Sequence, residues 1–311
     1  MSELMKKGGL IHLFRQNRLR AIGTIFVYMF MLRGLYNRHN NVDIYHINWL
    51  QNALPLFGTT GRKAAIVSVL GSDMGLLQLP GMKILLRQVF KSYRTILAPN
   101  AEWMQDVLIK EFGDVARIVV IPLGIDQRWY AVLRSENIFK EKKWIVVARL
   151  TRKKIGPLFD WGENLFKGKT ENQLHLFGPM QEEIEIPDWV YYHGAATPKE
   201  LMEKWFPQAT GLISLSRHDE GRPQVMIEAM ASGVPIVASK IPAHINLLQH
   251  RKTGWIVGDR MDFSHAIAWL SDPEKNNFVA SNAREWVIST IGTWKTCAER
   301  YYRLYDELLM Q

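Results

Sequence analysis

Glu220 and Glu228 are separated by seven residues within SRHDEGRPQVMIEAMASGVPIVAS, residues 216–239. The stretch reads as strand end, loop, helix, glycine stop and strand. Pro223 suits a first helical turn, because the N–H it lacks would have no partner there. Gly233 suits the helix stop. The N–H groups of Gln224 and Val225 would open the helix without intrahelical acceptors, which makes a natural anion site. A carboxylate at 220 could face a ligand from the loop. One at 228, two turns into the helix, could accept hydrogen bonds from the vicinal hydroxyls of a ribose. The bland alternative is that Glu220 caps the helix and Glu228 pairs with a base. Spacing alone leaves both open.

Other residues could join this chemistry. Arg149 and Lys154 follow the apolar run WIVVARL, residues 144–150. Two cations after a strand can neutralise charge developing on a leaving diphosphate. A solvated basic turn is the alternative, since Arg152 and Lys153 are adjacent. Asp73 sits in VLGSDMG and could accept a proton from a hydroxyl, or simply cap a helix. The nine histidines and single cysteine show no close metal-ligand spacing, and His244, His250 and His265 read as surface or packing residues. Asp43, Asp73 and Asp219 are isolated, so no Asp-x-Asp manganese motif is present and no metal is expected. The phosphate-loop pattern Gly-x-x-x-x-Gly-Lys-[Ser/Thr] is absent.

Positioning these residues requires a particular scaffold. VDIYHI (42–47), AAIVSVL (64–70), TILAP (95–99) and RIVVIPLG (117–124) read as buried parallel strands. Helical patterns over 80–93 and 101–112 alternate with them. A second series runs through 144–150, 173–179, 189–194, 211–216 and 235–239, with helical patterns over 198–206 and 224–232. Alternation of this kind predicts two α/β domains with parallel sheets facing across a cleft, and ligands beyond the carboxyl ends of the strands. The predicted divisions are 1–133, a polar linker at 134–143, 144–271, and terminal helices over 272–311 that pack back towards the first domain.

The 311 residues suit two domains at ~100–200 residues each. An apolar fraction of 47% and a charged fraction of 22% exclude disorder, a collagen-like fibre and a polytopic membrane protein. The net charge of +9 is uneven. Residues 1–42 hold Lys6, Lys7, Arg15, Arg18, Arg20, Arg33 and Arg38 against Glu3 alone. The scattered tryptophans and near-neutral remainder argue against a nucleic-acid surface. Residues 21–32, AIGTIFVYMFML, are too short to span a bilayer. They suit either a core helix or a helix lying on an anionic membrane surface. In the second case, Glu at Arg15, Arg18 and Arg20 should abolish binding to anionic vesicles.

The Glu-(seven residues)-Glu frame followed by EAMASGVPIVAS resembles the retaining glycosyltransferases of family 4, which have the GT-B architecture of two Rossmann-like domains. Further matches follow in order. VDIYHINW (42–49) resembles an early strand, VLGSDMG (69–75) the loop read as H-G-x-D, and VIPLGID (120–126) the I-P-N-G-I-D segment. VARLTRKKIG (147–156) is similar to G-R-L-x-x-x-K-G, HLFGP (175–179) to a glycine turn, and TGWIVGD (253–259) to a segment after the second carboxylate. The resemblance covers about 42–305. It implies that Arg149 and Lys154 hold the donor diphosphate, that Glu228 binds the ribose and that Glu220 contacts the donor sugar. It places Gly221, Arg222, Pro223, Gln224 and Val225 against donor sugar and phosphate. The loop Gly194–Thr197 would lie against the base, and Gly71, Ser72 and Asp73 would face the acceptor. Leu70 stands where that loop usually has a histidine, so the polar contact to the donor sugar is either absent or supplied elsewhere, with His46 and Asn48 the candidates. The usual N-terminal strand and glycine-rich loop are replaced by MKKGGLIHLFRQ, where Gly8-Gly9 has no strand before it.

The expected activity is metal-independent, retaining transfer from a nucleoside-diphosphate sugar, UDP- or GDP-linked, with no cofactor. The expected acceptor is a glycan or lipid-linked glycan, at the inner face of the cytoplasmic membrane. The rivals are a nucleotide-sugar epimerase, which would turn over donor alone, and a non-catalytic transferase-like subunit supporting an active partner.

Overall fold

The computed structural model describes residues 18–59, 63–218 and 220–310, without the side chains of Arg18, Leu19 and Ala21. Lys6, Lys7, Arg15, the Gly8-Gly9 pair and Asp219 therefore lie outside the described residues. The chain divides into two units: Met1–Ile121 with Arg300–Gln311, and Pro122–Glu299.

In the first unit, helix α1 (Arg18–Arg38) precedes four parallel strands. These are β1 (Ile44–Asn48), β2 (Ala64–Val69), β3 (Arg94–Pro99) and β4 (Arg117–Ile118), in the order β1-β2-β3-β4. Helices α2 (Met82–Lys91) and α3 (Gln105–Phe112) fill the crossovers. β2 is buried along its whole length, which is why its sequence is continuously apolar rather than alternating. Among the described residues no strand precedes β1.

The second unit has six parallel strands in the order β10-β9-β8-β5-β6-β7. Its first elements are β5 (Lys142–Val147), α4 (Arg152–Ile155), α5 (Leu158–Phe166), β6 (Asn172–Phe177) and β7 (Val190–Tyr192). They are followed by helical turns over 198–208, β8 (Ala209–Ser214), α6 (Gln224–Ala231), β9 (Ile236–Ser239), α7 (Pro242–Leu247) and β10 (Trp255–Val257). Helices α8 (Arg260–Leu270), α9 (Pro273–Trp286) and α10 (Trp294–Leu309) close the chain. Side chains alternate between two cores: Ile145, Leu212 and Ile236 pack on one face of the sheet, Trp144, Val146 and Ile213 on the other. The single cysteine, Cys297, is buried.

Residues 134–143 are not a linker. Arg134 donates to Asn276 Oδ1 at 2.8 Å and to the Ala209 carbonyl at 3.1 Å. Ile138 is buried, and Thr210 donates to its carbonyl at 2.9 Å. The predicted boundary at 133 also moves, because Trp129 and Val132 belong to the second unit's core. The charged side chains that suggested a linker coat a segment whose few apolar residues point inward. The terminal helices divide as well: α9 lies in the second unit, where Asn276 donates to the Thr210 and Leu270 carbonyls. Only Arg300–Gln311 count with the first.

Candidate active site

In the second unit, the loops after β5 and β8 bring together the predicted chemistry. Thr151 caps α4, its hydroxyl accepting from the Lys154 N–H at 3.2 Å. Gly156 then turns with φ +57° and passes so close to the Leu215 carbonyl that a Cβ would lie 2.1 Å from that oxygen. Only glycine permits this approach. The Arg217 N–H adds a bond to the Lys153 carbonyl at 2.7 Å. Lys154 is thereby carried to Glu220: Nζ and Oε1 are 2.5 Å apart, with side-chain exposures of 15% and 16%. Two residues expected to hold different parts of one ligand are paired with each other. Arg149 is exposed and makes no ion pair among the described residues.

α6 begins beside this pair in sequence. Pro223 occupies its cap position with φ −65° and offers no side-chain cap, so the Gln224 and Val225 N–H groups have no intrahelical acceptor. Gln224 Nε2 donates to the Gly124 carbonyl at 3.0 Å, tying the helix start to the segment 120–126. Gly221, Arg222 and Pro223 are buried, and Val225 half-buried. Glu228 is half-buried with no ion pair among the described residues, and burial pushes its carboxyl up to about 7.

His244, expected at the surface or in packing, is fully buried and close to this chemistry. Its Nδ1 lies 2.9 Å from the Ser239 carbonyl and its Nε2 3.5 Å from Ser214 Oγ. Burial lowers its pKa, while the Glu220 carboxylate raises it and Lys154 lowers it. The only sequence signal was its place five residues after the end of β9.

The Gly194–Thr197 loop is hydrogen-bonded at both ends. The Gly194 carbonyl accepts from the Gly178 N–H at 2.7 Å, and Thr197 forms a reciprocal capping box with Glu200. His193, just before it, stacks on Phe177 at 4.7 Å and on His175 at 5.3 Å. Burial and the neighbouring His193 push His175 down to about 4. This ring stack was not anticipated.

In the first unit, Asp73 is 4% exposed and its carboxylate holds backbone. Oδ1 accepts from the Leu70 and Gly71 N–H groups at 3.1 and 2.9 Å, and Oδ2 from Leu50 at 3.0 Å. Ser72 is exposed beside it and Gly71, at φ 106°, is buried. His46 is not an uncommitted polar contact: Nδ1 lies 2.5 Å from Tyr305 Oη and Nε2 2.9 Å from Ser68 Oγ. The Asn48 side chain, in contrast, is exposed. Trp49 follows with φ 67° and ψ 137°, outside the regions open to an aromatic residue. Its N–H bonds the Ser68 carbonyl at 2.8 Å and it remains 39% exposed.

Among the described residues no group of His, Cys, Asp or Glu is placed to hold a metal ion, and no helix is long and apolar enough to cross a membrane.

Residues 141–272 match the family model described as Glycosyl transferases group 1. An amylovoran biosynthesis glycosyltransferase of Erwinia amylovora is 26% identical over 58% of this chain, which spans about half of that relative (48%). An N-acetyl-alpha-D-glucosaminyl L-malate synthase of Bacillus anthracis is 24% identical over 88% of this chain and 76% of its own length. Among solved structures, sucrose-phosphate synthase of Thermosynechococcus elongatus superposes with a TM-score of 0.75 at 17% identity, covering 95% of this chain and 80% of that one. Anabaena HepE in complex with UDP gives 0.73 at 15% identity, over 89% and 82%. Two parallel-sheet α/β domains and these neighbours establish a GT-B fold, with the family match lying wholly in the second unit.

Proposed function

We propose that the chain is a retaining glycosyltransferase that moves a sugar from a nucleoside-diphosphate sugar to a glycan or lipid-linked glycan. The Lys154–Glu220 pair beside an uncapped helix start carries this reading. Within the pair each charge compensates the other, which avoids an isolated charge in a partly dry loop. A bound diphosphate would draw Lys154 and Arg149 towards its oxygens and meet the Gln224 and Val225 N–H groups. Glu220, released from its partner, would then accept hydroxyls of the donor sugar. The Glu228 carboxylate, without a charged partner, would receive the ribose diol. Support comes from the group 1 match and from the HepE complex with UDP.

The acceptor hydroxyl would attack on the face from which the diphosphate departs, with that phosphate taking its proton. In this scheme Asp73 holds the acceptor-side loop Gly71–Asp73 in shape through its three backbone bonds. The reaction needs no metal and no cofactor, and it would take place at the cytoplasmic face of an anionic membrane.

A thermal-shift screen against UDP- and GDP-sugars tests the reading, followed by product analysis with chelator present. Stabilisation by one class of nucleotide sugar and a product of retained anomeric configuration are expected. Inverted product or dependence on added metal refutes the mechanism. Turnover of donor to a new sugar without acceptor would identify an epimerase. Nucleotide binding with turnover only beside a second protein would identify a supporting subunit.

A further inference from the structure

Helix α1 is apolar on two sides, and only one of them is covered. On the inner side, Arg33 donates to the Pro55 and Phe57 carbonyls at 3.1 and 2.5 Å, and Tyr36 Oη donates to the Asn52 carbonyl at 2.9 Å. Tyr36 also packs against the first unit's core. These contacts fix the rotation of the helix about its axis. Arg33 is thereby a positioning residue, although the sequence grouped it with the surface charges.

The other side presents two adjacent rows at i, i+4 spacing: Ile22, Phe26, Phe30 and Val27, Met31, Leu35. All six are exposed, with Phe26 at 71%, Val27 at 61%, Phe30 at 79% and Met31 at 66%. The stripe continues into a groove of about 660 Å³ between the helix and the segment Leu54–Phe57, where Phe57 is itself half exposed. A continuous apolar surface of this kind marks an interaction site.

Charge selects the partner. Residues 4–42 contain seven Lys and Arg and no Asp or Glu. Arg20 lies on the stripe's N-terminal end and Arg38 beyond its C-terminal end, both exposed. A second copy docked symmetrically on the same stripe would face like charge with like charge. An anionic bilayer satisfies both features: apolar side chains enter the acyl boundary by about 5–10 Å while the flanking cations meet headgroups.

We propose that the Ile22–Leu35 stripe of α1, with the adjoining groove, is the surface by which the protein lies in an anionic lipid monolayer. The proposal deepens the membrane reading given above, but its measurement does not depend on turnover, so the two can fail separately.

The test is co-sedimentation with vesicles of phosphatidylglycerol and phosphatidylethanolamine, against vesicles of phosphatidylcholine alone. Wild-type protein should bind the anionic vesicles more tightly, and added salt should weaken binding. The double variant Phe26→Ser/Phe30→Ser should bind about tenfold or more weakly. Its melting temperature should be unchanged, because both rings are exposed. A Phe30→Trp variant should show a blue-shifted indole emission when anionic vesicles are added. Equal binding to both vesicle types, unchanged binding by the double variant, or an unshifted emission at position 30 each overturn the proposal. So does a wild-type dimer in lipid-free solution that the double variant converts to monomer, since the stripe would then belong to a second copy.

Discussion

Asp73 in the first unit and Glu228 in the second are both carboxylates withdrawn from water, and their surroundings differ. Three backbone N–H groups converge on Asp73, and these bonds oppose the upward push of burial on its pKa. Glu228 has only the push of burial, and its carboxyl rises to about 7. A carboxylate supplied with internal donors fixes the chain around it. One left without them costs stability that a ligand with hydroxyl donors can recover. The same contrast separates two cations: Arg33 is spent on backbone carbonyls, whereas Lys154 is held by one carboxylate, that of Glu220.

The contrast can be broken by experiment. The largest effect is expected at Lys154. Lys154→Ala should lower the transfer rate about 10²–10³-fold, the typical cost of removing one group that stabilises developing charge. The loss should be non-additive with Glu220→Gln in a double-mutant cycle, because the pair acts as one unit. Additive losses would mean that the 2.5 Å contact has no functional weight.

Asp73→Asn should cost about 1–3 kcal/mol of folding stability, because an amide cannot accept from all three N–H donors. Chemical denaturation reads this directly. A variant with wild-type stability and no activity would move Asp73 from positioning into chemistry.

Glu228→Gln should weaken nucleotide-sugar binding about tenfold, the order expected for one or two lost hydrogen bonds. It also carries a pH signature. The folded state keeps its proton up to about pH 7 while the unfolded carboxyl loses it near 4.5. Between these values the folded state binds more protons, so stability falls as pH rises. The Gln variant should lack this component and be relatively more stable above pH 7. Donor binding by the wild type near pH 7 should release a proton, which calorimetry in buffers of different ionisation enthalpy would detect.

The smallest effect concerns Trp49. Glycine adopts φ 67° freely, so Trp49→Gly should raise the melting temperature by about 2–4 °C if about 1 kcal/mol of strain is released. A lower melting temperature would show that indole packing outweighs the backbone cost.

Much of this arrangement was legible in the sequence. Most strands announced themselves because parallel strands buried on both faces need unbroken apolar runs, but β10 was missed and only Arg117–Ile118 of the predicted run 117–124 is strand. The helix after Pro223 and its glycine stop were equally plain. The segment 134–143 misled because composition records what a stretch displays, not the isoleucine it buries or the half-buried arginine that bonds Asn276 and the Ala209 carbonyl. Residues 21–32 could not be resolved by composition, since a core helix and a surface helix use the same side chains; what the sequence does not show is the rotation set by Arg33 and Tyr36, which leaves Phe26, Val27, Phe30 and Met31 exposed. The pairing of Lys154 with Glu220, and the position of His244 near both, depend on how two loops close through Gly156 and Arg217. Such contacts have no local signature.

The buried position of Cys297 has a practical consequence. With the only thiol of the chain shielded, a cysteine introduced at Phe30 would be the one readily labelled by a spin probe or fluorophore. Power saturation or quenching from that position would give the immersion depth of α1 without first removing a native cysteine.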